Sequence, residues 1–318
     1  MTTGSPALIA QSGSAGTVET VLKTLDGAGV PIELLLQIAD SFAYITLAAI
    51  GLAVIFGMVG VINLAHGEFI LIGAYATTLS VNVYGLPLPI AMVFGSLLTG
   101  LFGIVVERTI VRRLYGRLLD TMIATFGLGL IITQGVRIVY GNTIDSVSTP
   151  FGAVPGYTYS AYRVFLAVVA IAVLVAIYLL FTRTEFGVKA RATIQDPDTA
   201  RAMGVDTDRM YMLTFGLGSA LAGLTGALYA PMESMVPSMG NGYLVESFVA
   251  VVVGGSSALV GTLSAGGLLG TIRGVFASEF GTFVAKMALL ATAILVIRFL
   301  PGGLSGLYDS LTDRVQEE

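Results

Sequence analysis

The chain of 318 residues contains no cysteine, no tryptophan and one histidine, His66. Without cysteine there is no disulfide framework, thiol nucleophile or thiolate metal site, and one histidine excludes a histidine-rich metal site. Charged residues make up 11% of the chain, whereas soluble domains average about 25%. With 55% hydrophobic residues and a net charge of −4, this composition excludes a water-soluble globular protein and gives no basis for nucleic-acid binding.

The hydrophobic residues form runs of the length that crosses a bilayer, about 20 residues. The clearest run is Val164–Thr182, which is free of charge and lies between Arg163 and Arg183. The pattern predicts an all-α polytopic membrane protein with about eight transmembrane helices (seven to nine), some of them short or half-crossing. The apolar segments are Leu34–Val61, Phe69–Val83, Ile90–Val106, Thr121–Val139, Val164–Thr182, Met210–Ala230, Leu244–Leu259, Thr262–Ala277 and Thr282–Phe299.

The chain divides into a polar N-terminal tail, residues 1–31, a transmembrane domain, 32–307, and a polar C-terminal tail, 308–318. Phe42–Val106 and Leu244–Phe299 each hold three apolar segments in the same expected orientation. One interpretation is a parallel internal repeat; the other is that any glycine-rich membrane chain looks self-similar. The N-terminal tail lacks the basic start and apolar core of a secretory signal peptide.

Two cation-rich connectors predict the orientation in the membrane. Positive residues in short loops stay on the cytoplasmic side, and both Arg108–Arg117 and the longer segment 183–209 are rich in arginine. We therefore expect both connectors in the cytoplasm. The connectors Gly141–Tyr162 and Pro231–Tyr243, together with the N-terminus, are then expected outside.

The centre of the segment 183–209 has the pattern of a short helix. Asp196 can cap its start, Pro197 suits the first helical position, and Asp198 complements the positive end of the helix dipole. Gly204 is a suitable stop. A short helix held in water between two membrane spans is a good contact surface for a cytoplasmic partner.

Three polar residues interrupt the apolar sequence after the first span: Asn63, His66 and Glu68. Polar groups at membrane depth face a protein interior or a water-filled path. One interpretation is therefore that these residues line a translocation path or its gate. The other is a solvated cytoplasmic turn, and chemistry alone leaves both open.

Small residues at fourfold spacing predict helix packing, because they let backbones approach closely in lipid. One such ridge is predicted in the sixth span and one near the end of the chain. Three charged residues close to the last spans, Glu246, Arg273 and Lys286, are expected to be ordinary interfacial residues. The ridge residues are Gly218, Ala222 and Gly226, and Gly266, Gly270 and Gly274.

The sequence carries no catalytic residue set and no metal-binding cluster that we can identify. Gly254-Gly255-Ser256-Ser257 lacks the lysine and the context of a phosphate-binding loop, and no Walker motif is present. We therefore expect that this chain is not an enzyme, does not hydrolyse ATP and binds no cofactor itself. A transporter or channel driven by an ion gradient would need a relay in the membrane, for which His66 and Glu68 are the nearest candidates.

The stretch from Gly57 to Glu68, GMVGVINLAHGE, resembles the signature of LivH-type permeases, the membrane subunits of branched-chain amino-acid ABC importers. The segment Arg191–Thr207, the run Val251–Gly255 and the terminal Arg298–Leu304 are similar to the same family, so that the resemblance covers Ile38 to Leu307. The stretch Pro237–Phe248 is similar to the urea-transporting, UrtB-type branch and slightly favours urea over branched-chain amino acids.

The resemblance implies an assembly in which this chain binds neither ATP nor Mg²⁺. A second, LivM- or UrtC-like permease would complete the path, two cytoplasmic ATPases would carry ATP and Mg²⁺, and an extracytoplasmic solute-binding protein would dock outside. It also implies that the short cytoplasmic helix couples the ATPases to the path. The implied coupling residues are Arg191, Asp196, Pro197, Ala200, Arg201, Met203, Gly204 and Val205.

Overall fold

The computed structural model of the chain describes residues 32–154, 157, 159–255 and 257–306. The two predicted polar tails, 1–31 and 308–318, lie outside the described residues. Within these ranges the chain forms ten α-helices, one short 3₁₀-helix at Val111–Leu114 and no β-strand. The helices are α1 Ile32–Val59, α2 His66–Asn82, α3 Leu88–Thr109, α4 Leu118–Tyr140, α5 Ala161–Arg183, α6 Glu185–Gln195, α7 Pro197–Ala202, α8 Thr207–Tyr229, α9 Gly240–Gly254 and α10 Ala258–Phe299.

Six of the helical segments in the described part of the chain are long and apolar enough to cross a membrane: α1, α3, α4, α5, α8 and the region of α10. Helices α2 and α9 have 17 and 15 residues, fewer than the roughly 20 that a full crossing requires. The predicted all-α membrane fold is confirmed, and so is the expectation that some segments are short.

Helix α10 turns back on itself at Gly281, whose backbone is not helical (φ 83°, ψ 170°). A straight helix of 42 residues would be about 63 Å long, and its two ends would lie far apart. Instead, Gly303, just after the end of α10, lies against Gly255, just before its start. A methyl group added at Gly303 would stand 2.5 Å from the Gly255 Cα. The two arms, 258–280 and 282–299, therefore run in opposite directions and count as two segments.

Helix α1 is the central element of the bundle. In its most apolar window 72% of the residues are buried, compared with 11% in α4. A helix that is apolar on every side has to be surrounded by other helices or by lipid. In this chain α1 is surrounded by α5, α8, α9 and α10, which all pack against it.

The small-residue ridges lie at helix contacts within the chain. On α10, Gly266, Gly270 and Gly274 lie against residues of α1 at the same fourfold spacing, in reverse order: Thr46, Phe42 and Ile38. On α8, Gly218 lies against Gly51 of α1, Gly226 lies against Ile70 of α2, and Ala222 between them is fully buried. The close approach is possible because these positions carry little or no side chain.

Helix α9 runs in the same direction as α1. Tyr243 of α9 stacks near Tyr44 of α1, and one turn later the Ser247 hydroxyl donates to the Ala48 carbonyl. The segment after each of the two helices runs in the opposite direction, and the third segment runs in the original direction. These segments are α2 and α3 after α1, and the two arms of α10 after α9. This order agrees with the predicted parallel repeat, whose residue-by-residue equivalence stays a prediction.

Candidate translocation path and coupling surface

The break between α1 and α2 is a buried polar turn. Gly60 has a positive φ of 67°, which favours glycine, and the chain then enters α2 at His66. The Asn63 side-chain carbonyl accepts a hydrogen bond from the Ala65 amide over 3.1 Å. Asn63 and His66 are fully buried, and Glu68 is 4% exposed, so the interpretation of these residues as a solvated turn is wrong.

His66 lies near the middle of the bundle. Its Nε2 is 2.9 Å from the carbonyl oxygen of Ala48, a residue 16 positions after the start of α1 and 11 before its end. Because a carbonyl only accepts, Nε2 carries the proton in this contact. The other ring nitrogen, Nδ1, is buried without a hydrogen-bond partner among the described residues.

Glu68 faces a polar stripe on α4. The Thr133 hydroxyl is 3.4 Å from Glu68 Oε1, and the Thr125 hydroxyl accepts from the Leu64 amide over 3.0 Å. Thr121, Thr125, Gly129 and Thr133 are the buried residues of α4. Their fourfold spacing is visible in the sequence, but this stripe was not predicted from it.

The two short helices begin at the same place. A methyl group added at Gly240, the first residue of α9, would stand 2.5 Å from the carbonyl oxygen of Gly67, the second residue of α2. Helix N-termini carry unpaired amide donors and partial positive charge. In transporters, helices that end within the membrane commonly line the solute site.

The structure contains the predicted short helix, α7. The Asp196 carboxylate accepts from the amides of Asp198 and Thr199, each over 3.0 Å, and Pro197 takes the first position. Gly204, just past the end, has a φ of 86°. The predicted start and stop of this helix are thus confirmed. The hydrogen bonds from Thr199 hold the pKa of Asp196 below its usual range.

Helix α6, which precedes α7, was not predicted from the sequence. The Thr184 hydroxyl caps α6 by accepting from the Gly187 amide over 3.2 Å, and Arg191 donates to the carbonyl of Phe181 at the end of α5. Helix α6 therefore folds back onto α5. Two signals for α6 were present in the sequence. Thr184 is a suitable N-cap residue, and Glu185 and Lys189 form an ion pair at i, i+4, which stabilises a helix.

The eight residues implied as coupling residues lie on α6, on α7 or directly beside α7. Ala200 is buried, whereas Arg201 and Met203 are exposed, Met203 to 80%. Arg201 also donates to the Thr207 hydroxyl over 2.8 Å, and Asp206 caps α8 by accepting from the Arg209 amide. Met203 is thus an exposed apolar residue directly after the last residue of α7. The remaining members of the set are exposed or half-buried: Arg191, Asp196, Pro197, Gly204 and Val205.

A buried ion pair ties the Arg108–Arg117 connector to the start of α8. Glu107 is fully buried, accepts from the Tyr115 hydroxyl over 2.7 Å and pairs with Arg112 Nε over 3.3 Å. Arg112 also lies 3.9 Å from the carboxylate of Asp208. The contact between Arg112 and Asp208 could not be read from the sequence, because it depends on which helices are neighbours.

Glu246, Arg273 and Lys286 form one cluster around the carboxylate of Glu246, so the expectation that they are ordinary interfacial residues is wrong. Glu246 is 5% exposed. Arg273 Nε and Lys286 Nζ lie 3.8 and 3.7 Å from its carboxylate oxygens. The two cations come from the two arms of α10, which brings them together because the helix reverses at Gly281. The Arg273 guanidinium also lies 4.3 Å from the centre of the Tyr44 ring.

A bundle of apolar helices with a buried polar break and an exposed, capped helix at one end defines a membrane transport subunit. A family model described as the permease component of branched-chain amino acid transport systems matches residues 34–299. The chain belongs to this family. It is therefore a transport permease, a multi-pass membrane protein, and the family is not one of enzymes.

Three relatives are similar over most of their length. The high-affinity branched-chain amino acid permease BraD of Pseudomonas aeruginosa is 28% identical over 85% of this chain and 93% of its own. A probable LivH of Methanocaldococcus jannaschii is 28% identical over 82% and 88%. LivH of Escherichia coli K12 is 25% identical over 82% and 90%. No solved structure matches the chain.

Proposed function

We propose that the chain is one of two permease subunits of an ATP-driven importer and forms half of the path for a branched-chain amino acid. One observation carries the proposal: in a chain of this permease family, α7 is an exposed, capped helix joined by Arg201 to the first residue of α8. A protein that binds such a helix from the water can displace it. Because Arg201 joins α7 to α8, the displacement can extend along α8 into the membrane domain.

Two cytoplasmic ATPases dock on α7 and its homologue in a LivM- or UrtC-like partner permease. ATP and Mg²⁺ belong to the ATPases, and this chain binds no cofactor. The cation-rich connectors, including α6 and α7, lie in the cytoplasm by the positive-inside rule. The N-terminal side and the connectors Gly141–Tyr162 and Pro231–Tyr243 lie outside, where an extracytoplasmic binding protein delivers the solute.

The buried break between α1 and α2 contributes to the path. Asn63, His66 and Glu68 each keep a buried polar atom without a hydrogen-bond partner in the described part of the chain. Unpartnered buried polar atoms are costly, and a passing polar solute or its water would satisfy them. Movement of α8 reaches this site, because Gly51 lies between Gly218 of α8 and His66.

The solute is an amino acid rather than urea. The three relatives described above are named for branched-chain amino acids, and none of these three is named for urea. The stretch Pro237–Phe248, which resembles the urea branch, overlaps the start of α9 and holds Tyr243 and Glu246. These residues pack against Tyr44 and Arg273, so they carry a structural role that does not depend on urea.

An ion-gradient transporter is the alternative, and it is favoured by the burial of His66 and Glu68 in the bundle. The experiment that separates the two places this chain, its partner permease and the ATPases in vesicles with the binding protein. The importer proposal expects leucine uptake that requires ATP hydrolysis and persists when ionophores remove all ion gradients. Uptake that follows an ion gradient without ATP hydrolysis would overturn it.

A further inference from the structure

A cavity of about 360 Å³ opens at the end of the bundle remote from α7, between α1, the start of α5 and the turn of α10. This volume falls in the range of small-molecule sites, about 300–1,000 Å³. The cavity wall is strongly polar for a membrane protein. Its lining includes Asp40, Tyr159, Arg163, Arg273, Ala277 and Thr282.

Arg273 has an ion-pair partner, Glu246, but its guanidinium group can still bind a further carboxylate. Its ion pair with Glu246 spans 3.8 Å, which is longer than a hydrogen bond. Glu246 Oε2 accepts no hydrogen bond from the residues that the structure describes, and Lys286 shares the negative charge of Glu246. The stacking on Tyr44 orients the guanidinium plane. Its forked donors thus remain suited to a carboxylate, which arginine binds in bidentate fashion.

The lining of the cavity also includes an ion pair, Asp40 with Arg163, and a tyrosine, Tyr159. Asp40 pairs with Arg163 over 2.5 Å, and Tyr159, which lines the same cavity, belongs to the connector after α4. Burial, the charge of the Asp40 carboxylate and a hydrogen bond to that carboxylate raise the pKa of Tyr159, so its hydroxyl stays protonated and donates to Asp40. The cavity wall therefore presents two guanidinium groups, one carboxylate and a neutral phenol.

We infer that this cavity is an entry site for a zwitterionic amino acid, with Arg273 binding the α-carboxylate and Asp40 facing the ammonium group. The inference rests on the proposed function and adds to it the residues that recognise the solute. A neutral molecule such as urea would make no use of these charges.

The test uses the fully assembled transporter without its binding protein. Because the chain has no cysteine, Ala277→Cys introduces one thiol into this subunit at the cavity wall. Its rate of modification by an anionic thiosulfonate is measured by mass spectrometry of this chain. Leucine should slow the reaction at least about fivefold, whereas leucinamide, which lacks the carboxylate, and urea should not. Thr143→Cys, on the exposed connector at the same end, should show no protection by leucine.

The role of Arg273 is tested in the Ala277→Cys background. Arg273→Gln should abolish protection by leucine, and Arg137→Gln, an exposed arginine of α4, should leave it intact. If Arg273→Gln prevents assembly, Arg273→Lys serves instead and should retain only weak protection, because lysine keeps the charge but loses the fork. Equal protection by leucine and leucinamide, or full protection in either Arg273 variant, would overturn the inference.

A parallel measurement separates this inference from the proposed function. ATP-driven leucine uptake by the unmodified complex, combined with an absence of leucine protection at Ala277→Cys, contradicts the entry site alone. A complex that assembles but imports no amino acid contradicts the proposed function itself.

Discussion

Gly218 of α8 and Gly51 of α1 are in backbone contact. A methyl group added at Gly218 would stand 2.6 Å from the Gly51 carbonyl oxygen, and one added at Gly51 would stand 2.5 Å from that of Gly218. The same position on Gly51 is 3.2 Å from the His66 ring. Tight packing is therefore continuous from α8 through α1 to the polar break between α1 and α2.

This contact predicts that Gly218→Ala is destabilising, by about 1–3 kcal/mol, because overpacking forces backbone to shift. Uptake should fall with it, since the shift displaces α8 from α1. The matched control is Gly127→Ala on α4, where an added methyl group meets nothing within 4 Å. Thermal unfolding of the purified complex measures both. Equal stability of the two variants would show that the contact is not tight.

His66 is predicted to serve the path rather than the fold. In His66→Leu the Ser247 hydroxyl, which lies 2.9 Å from the Ala48 carbonyl oxygen and 2.6 Å from that of Tyr243, can donate to Ala48 in place of the imidazole, so the bundle should still assemble. Leucine uptake should fall at least about tenfold, because the buried donor and acceptor of the imidazole are lost. Gln134→Leu, on the exposed side of α4, is the control and should transport normally. Unchanged uptake in His66→Leu would remove His66 from the path.

The cap of α7 is predicted to be required for coupling. Asp196→Ala removes the acceptor for the two amides at the start of α7, so the helix should fray and ATP-driven uptake should drop severalfold. Asn is as good a cap as Asp, and Asp196→Asn should retain uptake. Both variants should reach the membrane in normal amounts. Wild-type uptake in Asp196→Ala would indicate that the start of α7 plays no part in coupling.

The Asp196 cap also predicts how leucine uptake depends on pH. The pKa of Asp196 is lowered in the folded state, so its stabilising effect is fully present above the unfolded pKa of about 4. It is lost only as the pH falls further, through the folded pKa. Between pH 5.5 and 8 the ratio of uptake by wild type to Asp196→Asn should therefore be constant. A ratio that changes within this window would show that Asp196 titrates there.

Local features of this protein were predictable from the sequence and contacts between distant segments were not. The spans were predicted because their apolar length is a local property, and α7 because Asp196, Pro197 and Gly204 are local signals. The cluster around Glu246 was missed, since it depends on the reversal of α10 and on the position of α9. The burial of His66 was left open for the same reason, as it depends on α1 and α8 closing over it.

Leucine uptake driven by ATP in vesicles, with charge introduced on α7, tests most directly whether ATPases act on the path through this helix. Arg201→Glu combined with Gly204→Glu removes the link to Thr207 and places a side chain at a positive φ. The variant should insert and pair with the second permease, yet import no leucine, while Arg137→Glu at the opposite end imports normally. Normal uptake by the double variant would contradict the account.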